Sequence, residues 1–590
     1  MKRVYKSQDF AHRGMKIQQM SRILMLSRVP SGLWKDNYFL MKKSAILFLL
    51  LCISARLFAQ GTFSGDLMMN LNFFQRDTSI KASGNPLYDN YLSGSEGWLD
   101  LRYNIKGFTF FVRADAFNNS NLKNPTSAST DFGIGAWSIS KDMKDLSITV
   151  GSIYDQIGSG ILFRAYEDRG LLIDNALVGI ELKYKLTKNI MLKGFTGQQK
   201  NNSVIGVNGA LHTPPYGPVI KGLNAEGDFS AGKAHIIPGI GVLNRTLDAN
   251  SYNAVAATII GQDSNHHFTP VYNMYAFTVY NTLTYKNLSW YVEGAYKSHE
   301  AIALPPSGVL VDTPGNVEYT SINYGRKGIA LSLTGKRTEN FVMRTSPNEV
   351  LLNGMMNWQP IVAVLRPERL MSRYTPASQD ISEMAGTANL NISPNDVTSF
   401  TGTYTNINTL DNQKLYREIY VEGNYQGLKS WIFQGGAQYL EYNALLYQND
   451  SKHSSHPVIF AITPFAEITY RVTEKKSIRA EVQYMDTKED YGSWVFFLLE
   501  YDVAPQWSIA ASDMYNTAIN KNSDNPYYSD PGFSTKKANN YYNLYISYTK
   551  GPHRFSLAYV KQVDGINCSG GVCRYEPAFS GVKATITSSF

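Results

Sequence analysis

The sequence predicts an all-β protein, a transmembrane antiparallel β-barrel of about 24 strands, with any even number from 20 to 26 acceptable. Segments of about ten residues with period-two alternation recur along the chain, which is the length that a tilted strand needs to cross a bilayer. Short turns alternate with longer polar connections. Aromatic residues make up 13% of the chain and charged residues only 18%, which favours a wide barrel over a soluble multidomain protein.

The first 59 residues do not contribute to this pattern. The stretch "MKKSAILFLLLCISARLFAQ" starts at Met41 with two lysines and continues with an apolar run too short to span a bilayer as a helix. It predicts a signal peptide over residues 41–59, cleaved after Ala59. Residues 1–40 precede a complete signal and are interpreted as a mis-called upstream extension, with a genuine cytoplasmic extension or an unusually long n-region of the signal as the alternatives. The predicted mature domain is a single barrel over residues 60–590.

The charge of the chain gives no evidence for nucleic acid as a partner, and none is expected. The formal net charge of the chain is +8. Residues 1–40 carry six net positive charges and residues 41–59 carry three more, so the mature chain has a net charge of −1. The basic character therefore belongs to the leader and not to a binding surface.

Strand patterns identify side chains that face the barrel lumen. In "VGIELKYKL", "LSWYVEGAYK" and "SIRAEVQY", apolar residues alternate with polar ones, so one face contacts lipid and the other faces water. The predicted lumen-wall residues are Glu181, Lys183, Lys185, Glu293, Lys297, Arg479 and Glu481.

Turn positions give the strand count. Eleven short turns, such as Lys106-Gly107, Lys286-Asn287 and Gln426-Gly427, separate long connections such as 76–94, 245–269 and 517–538. Short turns on one side and long loops on the other are typical of transmembrane barrels. With both ends on the short-turn side, eleven turns give 24 strands.

The last strand has the pattern of an assembly signal. In "VKATITSSF", the residues Val582, Ala584, Ile586 and Phe590 share one face with Ser588. A terminal Phe after alternating outward positions resembles the C-terminal targeting signal of outer-membrane barrels, which the barrel-assembly machinery reads. Ser588 departs from that pattern, which prefers a hydrophobic residue at its position. An ordinary buried terminal strand is the alternative.

Only two cysteines remain after the leader. Cys568 and Cys573 lie in "NCSGGVCRY" and close a short loop that contains glycine. In an exported protein this spacing predicts a disulfide. Free thiols and a metal site are the alternatives, and a metal site is disfavoured because the nearest histidine, His553, is some 15 residues away.

Three stretches together resemble a known family. They are the signal ending in "AQ", the stretch "YDQIGSGILFRAYEDRGLLIDNA" and the end "CSGGVCRYEPAFSGVKATITSSF". They resemble a family of large porin-like outer-membrane barrels of the Bacteroidota with unknown function. The resemblance covers roughly residues 60–590 and implies a location in the cell outer membrane and a barrel fold. It implies no substrate and no catalytic residue, and residues 339–382 match none of its patterns.

A dense charge cluster lies in the third long connection, "LFRAYEDRGLLID". It contains Arg164, Glu167, Asp168, Arg169 and Asp174. If this loop folds into the lumen, acids and bases on facing walls would form a constriction that selects solutes by charge and size. The alternative is a loop that internal salt bridges hold in place without any selective role.

The longest connection, residues 339–382, is not simply polar. It contains "VLLNGMMNWQPIVAVL", followed by Arg366, Arg369 and Arg373 at near-helical spacing. An apolar loop left in water would be an unexplained patch. We predict that it folds inward as a plug, packs on another loop or binds a partner, and an extra hairpin in the barrel wall is the alternative.

These patterns predict a porin-like diffusion channel for small polar solutes, not an enzyme. The alternative is a loop-plugged structural or interaction barrel that docks another envelope protein. The chain contains no G-x-S-x-G, H-E-x-x-H or Walker A motif, so a barrel-embedded hydrolase is a minor alternative and no cofactor or metal is expected. Strand one is expected near Thr62, directly after the leader, which argues against a folded N-terminal plug. The expected partners are outer-membrane lipid, the barrel-assembly machinery during biogenesis and, in the alternative, an envelope protein.

Overall fold

The structure, a computed structural model, describes residues 61–122, 127–200, 217–304, 307–350, 353–448, 453–519, 539–569 and 571–590. For residues 567–569 it describes the backbone alone. The predicted upstream extension and signal peptide lie outside the described residues, and so does nearly all of the predicted loop 517–538.

The described residues form 24 strands of a single barrel wall. The first twelve are β1 (Thr62–Phe74), β2 (Ser93–Ile105), β3 (Phe108–Ser120), β4 (Ser129–Asp142), β5 (Leu146–Ile153), β6 (Leu177–Lys185), β7 (Ile190–Gln199), β8 (Val219–Gly227), β9 (Ala234–Thr246), β10 (Asn273–Tyr285), β11 (Leu288–Leu304) and β12 (Val309–Arg326). The others are β13 (Ile329–Glu339), β14 (Glu383–Asn395), β15 (Thr398–Thr409), β16 (Lys414–Leu428), β17 (Trp431–Asn443), β18 (Val458–Thr473), β19 (Lys476–Met485), β20 (Gly492–Val503), β21 (Trp507–Ile519), β22 (Asn540–Lys550), β23 (His553–Gln562) and β24 (Phe579–Ser589).

Antiparallel pairing closes the wall. Each strand pairs with the next one in sequence, and β24 pairs with β1 in a register that runs from Asp66 opposite Ser589 to Phe74 opposite Gly581. A short segment, Phe229–Ala231, extends β8 along β9. Closure gives the wall backbone hydrogen-bond partners and leaves no edge exposed to lipid. The predicted fold class, an antiparallel barrel of 24 strands, is confirmed.

Eleven tight turns lie at one end of the barrel, as the sequence predicts. At Lys106-Gly107 both residues have positive φ, 49° and 77°, as a two-residue hairpin turn with the twist of the flanking strands requires. The predicted turn at Gln426-Gly427 is wrong in position. A register shift after Tyr425 carries β16 on to Leu428, which pairs with Trp431 across the turn.

At the opposite end the strands are longer than the ten residues predicted. β11 and β12 have 17 and 18 residues, and they continue beyond the length needed to cross a bilayer. For that reason the connection between them is short, as is the one between β15 and β16, so not every outer connection is a long loop.

Burial is reversed relative to a soluble protein. On β6, Ile180, Leu182 and Tyr184 are exposed while Glu181 is buried. The same alternation repeats on the other wall strands. The apolar face therefore points to lipid and the polar face to the lumen.

Helices occur in the connections. The longest, α1 (Ala249–Ile260), begins after Asp248, whose carboxylate accepts hydrogen bonds from the backbone N–H groups of Asn250 and Ser251. Its apolar face packs on the extension of β11 and β12. The shorter helical segments are Thr78–Ile80, Leu87–Tyr91, Ser264–His266, Met371–Arg373 and Ala444–Gln448. None of the helices in the described ranges is long and apolar enough to cross a membrane.

The core lies inside the barrel and not between layers. One apolar cluster joins lumen-facing residues of β7 to β12 with the connection 154–176, and a second joins those of β15 to β24 with the connections 75–92 and 563–578. The connection 340–382, called the long loop below, contributes buried side chains to both. β13 pairs directly with β14, so the alternative of an extra wall hairpin in this segment is wrong.

Candidate functional site

The charged connection 154–176, called the acidic loop below, is tied to the wall through Arg113 of β3. Arg113 is 2% exposed and pairs with Asp115 at 2.7 Å, Glu167 at 3.0 Å and Asp174 at 2.5 Å. Three carboxylates around one enclosed guanidinium form an ion-pair network with direct hydrogen bonds. The network fixes the acidic loop against β3.

Two further cations, Arg169 and Lys200, extend this network. Arg169 donates to Glu167 at 2.7 Å and to Asp100 of β2 at 2.9 Å. Asp174 also pairs with Lys200. Burial raises the pKa of Asp174, but the nearby Lys200 and Arg113 outweigh it and hold this pKa below its ordinary value.

The other two predicted constriction residues lie outside the network. The Arg164 guanidinium lies over the rings of Tyr166 and Trp358, at 4.5 and 4.6 Å from their centres. Asp168 accepts a hydrogen bond from the backbone N–H of Leu171 and closes a local turn. The structure thus brings Glu167, Arg169 and Asp174 together, but not Arg164 or Asp168, and the constriction itself stays a prediction.

The predicted lumen-wall residue Glu293 binds the acidic loop. Its carboxylate accepts from the Ser159 backbone N–H at 3.1 Å and from the Ser159 hydroxyl at 2.5 Å. Thr278 and Tyr291 also donate to it, at 2.8 and 2.6 Å. A wall carboxylate with four donors anchors the loop inside the barrel.

Lys297 anchors the start of the long loop in the same way. Its ammonium donates to the carbonyl of Val342 at 2.9 Å and to Glu300 at 3.0 Å. Glu300 in turn pairs with Arg245 of β9. All three charged side chains are almost completely buried, and Glu300 is the opposite charge beside both Arg245 and Lys297.

Glu181 and Lys183 lie beside Asp155, the second residue of the acidic loop. Asp155 pairs with Lys183 at 2.5 Å and with Lys193 of β7 at 2.9 Å. Burial raises the pKa of Asp155, but the hydrogen bond with Glu181 and the two lysines outweigh it, so this pKa lies below its ordinary range.

The remaining predicted wall residues make no ion pair with either loop within the described residues. Lys185 is exposed at the turn end of β6. Arg479 lies in the turn-side half of the lumen, where it pairs with Glu500 at 2.7 Å, Glu467 at 2.9 Å and Glu481 at 3.3 Å. This second charge cluster joins three neighbouring strands of the wall.

The long loop carries the arginines that the sequence analysis singled out. Arg366 donates two hydrogen bonds to Glu418 of β16, at 3.0 and 3.1 Å, and its guanidinium lies 3.6 Å from the ring centre of Tyr420. Glu418 is fully buried and also accepts from Gln438 at 2.7 Å. A two-pronged pair of this kind fixes both position and orientation.

Arg373 makes the second anchor. It lies 3.8 Å from Asp490, which also accepts a hydrogen bond from the Tyr374 hydroxyl at 2.8 Å. The guanidinium of Arg373 is 4.8 Å from the ring centre of Trp494 and 5.3 Å from that of Tyr491. Cation–π contacts and the ion pair together hold the loop against β20.

Between the long loop and β20 to β23 lies a cavity of about 640 Å³, called the main cavity below. Its lining includes Arg366, Arg369 and Arg373 on the loop side, and Tyr541 and Lys561 on the wall side. Arg369 is exposed to this cavity. The mixture of cationic, polar and aromatic groups suits a polar solute.

A second cavity, of about 290 Å³, adjoins the first and shares Gln562 and Glu576 with it. Arg574, Lys583 and Glu96 also line this second cavity. Its volume is less than half that of the main cavity. Two compartments that share lining residues give the lumen a polar region beside the long loop.

A hairpin of Gly565–Ser569 and Val572–Glu576 forms part of both cavity walls. Cys573 is disulfide-bonded, and the hairpin register places Cys568 directly across from it. The side chain of Cys568 lies outside the described residues. The hairpin contacts the long loop through a hydrogen bond from the Ser378 backbone N–H to the carbonyl of Gly571, at 3.0 Å.

Comparison with known proteins gives the family. The model of the "Family of unknown function (DUF6029)" matches residues 41–590. The chain belongs to this family. No curated protein matches this DUF6029 member.

Solved structures similar to the DUF6029 chain are large barrels. The translocation pore of the P pilus usher has 10% identity and a TM-score of 0.41, covering 90% of this chain and 99% of its own. A ferric enterobactin receptor variant of Pseudomonas aeruginosa has 8% identity and a TM-score of 0.41, with 90% and 81% covered. The siderophore receptor PirA of the same organism has 7% identity and a TM-score of 0.40, with 90% and 80% covered. At these values the similarities carry no argument about function.

The predicted assembly residues of this DUF6029 barrel lie in β24 and just beyond it. Val582, Ala584 and Ile586 pair with both neighbouring strands, β1 and β23. Phe590 exchanges two backbone hydrogen bonds with Gly65, at 2.8 and 2.9 Å, and its ring is 58% exposed. The structure describes this seam but does not test recognition by an assembly machinery.

Four wall or turn residues that hold the inward loops of the DUF6029 barrel are missing from the sequence prediction. These residues form ion pairs with side chains of the inward loops, and they are Arg113, Asp100, Glu418 and Asp490. The first three lie at lumen-facing positions of strands in which polar and apolar residues alternate, so this alternation could have identified them as lumen-facing. Periodicity gives the direction of a side chain but not its partner. No group of three or more His, Cys, Asp or Glu side chains suited to a metal lies in the part of the chain that the structure describes.

Proposed function

We propose that this protein is a loop-restricted outer-membrane channel that passes small polar solutes. The main cavity, between the long loop and the wall, is the observation that carries this proposal. A barrel of 24 strands is too wide for its own side chains to fill, so its lumen takes either water or folded loops. Here two inward loops occupy part of it, and a polar compartment lies beside them.

The anchoring of the loops favours a narrow path over a wide open pore. The long loop is held at two places that are five strands apart in the wall, by Lys297 on β11 and by Glu418 on β16. The Glu418 anchor is an enclosed pair of opposite charges, and the Lys297 anchor is a buried hydrogen bond to the loop backbone, so large loop movements carry a substantial cost. Solutes would therefore pass beside the loop, through the compartment that Arg369 and Tyr541 line.

Single-channel conductance tests the proposal. The full chain is purified from membranes in detergent, checked for folding by its heat-modifiable gel shift, and inserted into a planar bilayer. We expect stable steps of low conductance at low voltage, because the loops leave a narrow path. A folded barrel that inserts but gives no current steps at any voltage would contradict the channel function.

A loop-plugged interaction barrel is the second candidate, and an outer surface feature favours it. Helix α1 lies in the outer connection 247–272, and Ile260 at its end is 71% exposed. An exposed large apolar side chain on an ordered helix suits a protein contact. Co-purification of a stoichiometric envelope protein after mild detergent extraction, together with a silent bilayer, would favour this second function.

A further inference from the structure

Arg369 differs from the other cations of the main cavity. Arg366 pairs with Glu418, Arg373 with Asp490, and Lys561 with Asp77 at 2.9 Å. Arg369 has no ion pair and no side-chain hydrogen bond within the described residues, although its backbone carbonyl accepts one from Ser372. A guanidinium has five N–H donors. The donors of Arg369 therefore face the cavity.

The surroundings of Arg369 do not favour a free cation. Desolvation and, to a lesser extent, the neighbouring Arg373 lower the pKa of Arg369 to about 10, against the smaller opposing effect of the Glu576 carboxylate. At neutral pH the side chain still carries its charge. Arg369 has no direct ion pair within the described residues, so an anion bound in the cavity would supply the adjacent countercharge that its guanidinium lacks.

Asp564 and Glu576 are the acids that line the main cavity in the described part of the chain, and the charge of Glu576 acts on Arg369 without an ion pair between them. Asp564, on the facing hairpin, accepts hydrogen bonds from the hydroxyls of Tyr491 at 2.9 Å and Tyr575 at 3.1 Å. Asp490 belongs to the Arg373 anchor. None of these acids therefore occupies the N–H donors of Arg369.

The second cavity is also lined by cationic side chains. The Arg574 guanidinium donates to the carbonyl of Asn121 at 3.0 Å, while its other terminal nitrogen is buried without a hydrogen-bond partner. Burial lowers the pKa of Arg574. Lys583 lies 4.3 Å from the ring centre of Phe579 and also lines this cavity. Cationic groups thus continue from the main cavity into its neighbour, where Glu96 and Glu576 lie among them.

We infer that the main cavity binds the oxyanion group of a small solute, a carboxylate or a phosphate, at Arg369. A guanidinium matches both groups, because its planar fork donates two parallel hydrogen bonds. A cavity of about 640 Å³ also holds more than the anionic group alone, and Phe496 and Tyr541 offer apolar faces to the rest of the solute. The inference rests on the proposed function for the route of the solute, but binding is measurable without transport.

Calorimetry in detergent tests binding directly. The full chain is titrated with inorganic phosphate, with acetate and, as a neutral comparison, with glucose. We expect saturable binding of phosphate or acetate and none of glucose. Phosphate and carboxylate share the same recognition chemistry. The anion that binds with the higher affinity therefore shows which of the two groups the solute carries.

Three variants assign the binding to Arg369. Arg369→Gln removes the charge and should weaken anion binding by about tenfold or more, as loss of a charge-assisted hydrogen bond does. Arg369→Lys keeps the charge and should retain part of the affinity. Lys188→Gln removes the same charge from an exposed turn and should leave affinity unchanged. All three must show the heat-modifiable shift of a folded barrel.

The outcomes separate this inference from the channel function. Anion binding that depends on Arg369, in a barrel without conductance, would support the site and contradict the channel. Conductance without saturable anion binding, or binding that Arg369→Gln leaves unchanged, would overturn the site and leave the channel function intact.

Discussion

Single residues in this protein reverse the usual relation between polarity and burial. Arg113, Arg245, Lys297 and Glu418 are each at most 2% exposed, whereas apolar side chains cover the outer wall. Buried charges persist only beside opposite charges, because removing one partner leaves the other uncompensated. The stability of the inward loops therefore depends on a few ion pairs.

Arg113 provides the sharpest test at this scale. Arg113→Met removes the cation that faces Asp115, Glu167 and Asp174, so we expect a loss of about 3–5 kcal/mol in the free energy of unfolding. Urea unfolding followed by the heat-modifiable gel shift measures it. The control Arg102→Met breaks a half-exposed pair with Asp66 on the adjacent strand and should cost about 1 kcal/mol or less. Equal losses in both variants would show that the network does not anchor the loop.

Acid should release the acidic loop. The pKa values of Asp155 and Asp174 lie below the ordinary value of 3.8, since their cationic neighbours outweigh the effect of burial. A carboxylate with a lowered folded-state pKa stabilises the fold above its unfolded value and loses that contribution as pH falls through the folded value. Loop protection should therefore hold at pH 5 to 7 and decline below about pH 4.

Pepsin digestion at pH 2 and at pH 4, followed by mass spectrometry, reads out cleavage within residues 154–176. Cleavage in this segment should increase at the lower pH more than in the acid-stable turn Lys106-Gly107. Protection of the segment that does not change over this range would contradict the electrostatic account.

Among the elements, the long loop decides how much of the lumen is open. It reaches from β13 to β14, which pair directly with each other, so the wall does not depend on it. Its buried residues belong to both apolar clusters of the interior. The loop is thus dispensable for closure of the barrel but not for filling the lumen.

Glu418→Gln tests the anchoring of the long loop. The amide keeps the shape of the carboxylate but removes the countercharge of Arg366, which should cost about 3 kcal/mol at this buried site. We expect a higher single-channel conductance and faster proteolysis within residues 340–382.

Glu422→Gln is the matched control. Glu422 lies on the same face of β16, accepts hydrogen bonds from Tyr420 and Gln434, and makes no hydrogen bond to the long loop. It should leave conductance and proteolysis near wild type. If Glu418→Gln behaves like this control, the pair with Arg366 does not hold the loop.

For the whole molecule, the seam between β1 and β24 is the critical feature. The two strands are more than 500 residues apart in sequence and pair over nine positions. Until this seam forms, both strands have unpaired backbone groups that lipid cannot satisfy. Closure therefore couples the two ends of the barrel domain.

Gly581→Val should block closure. Gly581 has a φ of 139°, which other residues rarely adopt, and a Cβ there would lie 2.0 Å from the carbonyl oxygen of Phe73 on β1. We expect most of the protein to lose its heat-modifiable shift. A Cβ added at Gly402, in β15, would have no atom within 4 Å, so the Gly402→Val variant should fold normally. A folded Gly581→Val barrel would show that the seam tolerates a shifted register.

The sequence by itself determined the barrel, its 24 strands, its short-turn end and its lipid-facing side. These properties are local, because alternation and turn residues are read within one or two strands. It also indicated the two unusual loops through "LFRAYEDRGLLID" and "VLLNGMMNWQPIVAVL". Only the tertiary structure decided which wall residues receive them. Arg366 meets Glu418, and Glu167 meets Arg113, across more than 50 residues each, and strand periodicity cannot specify such pairs. The main cavity exists only because the long loop and β20 to β23 come together in space.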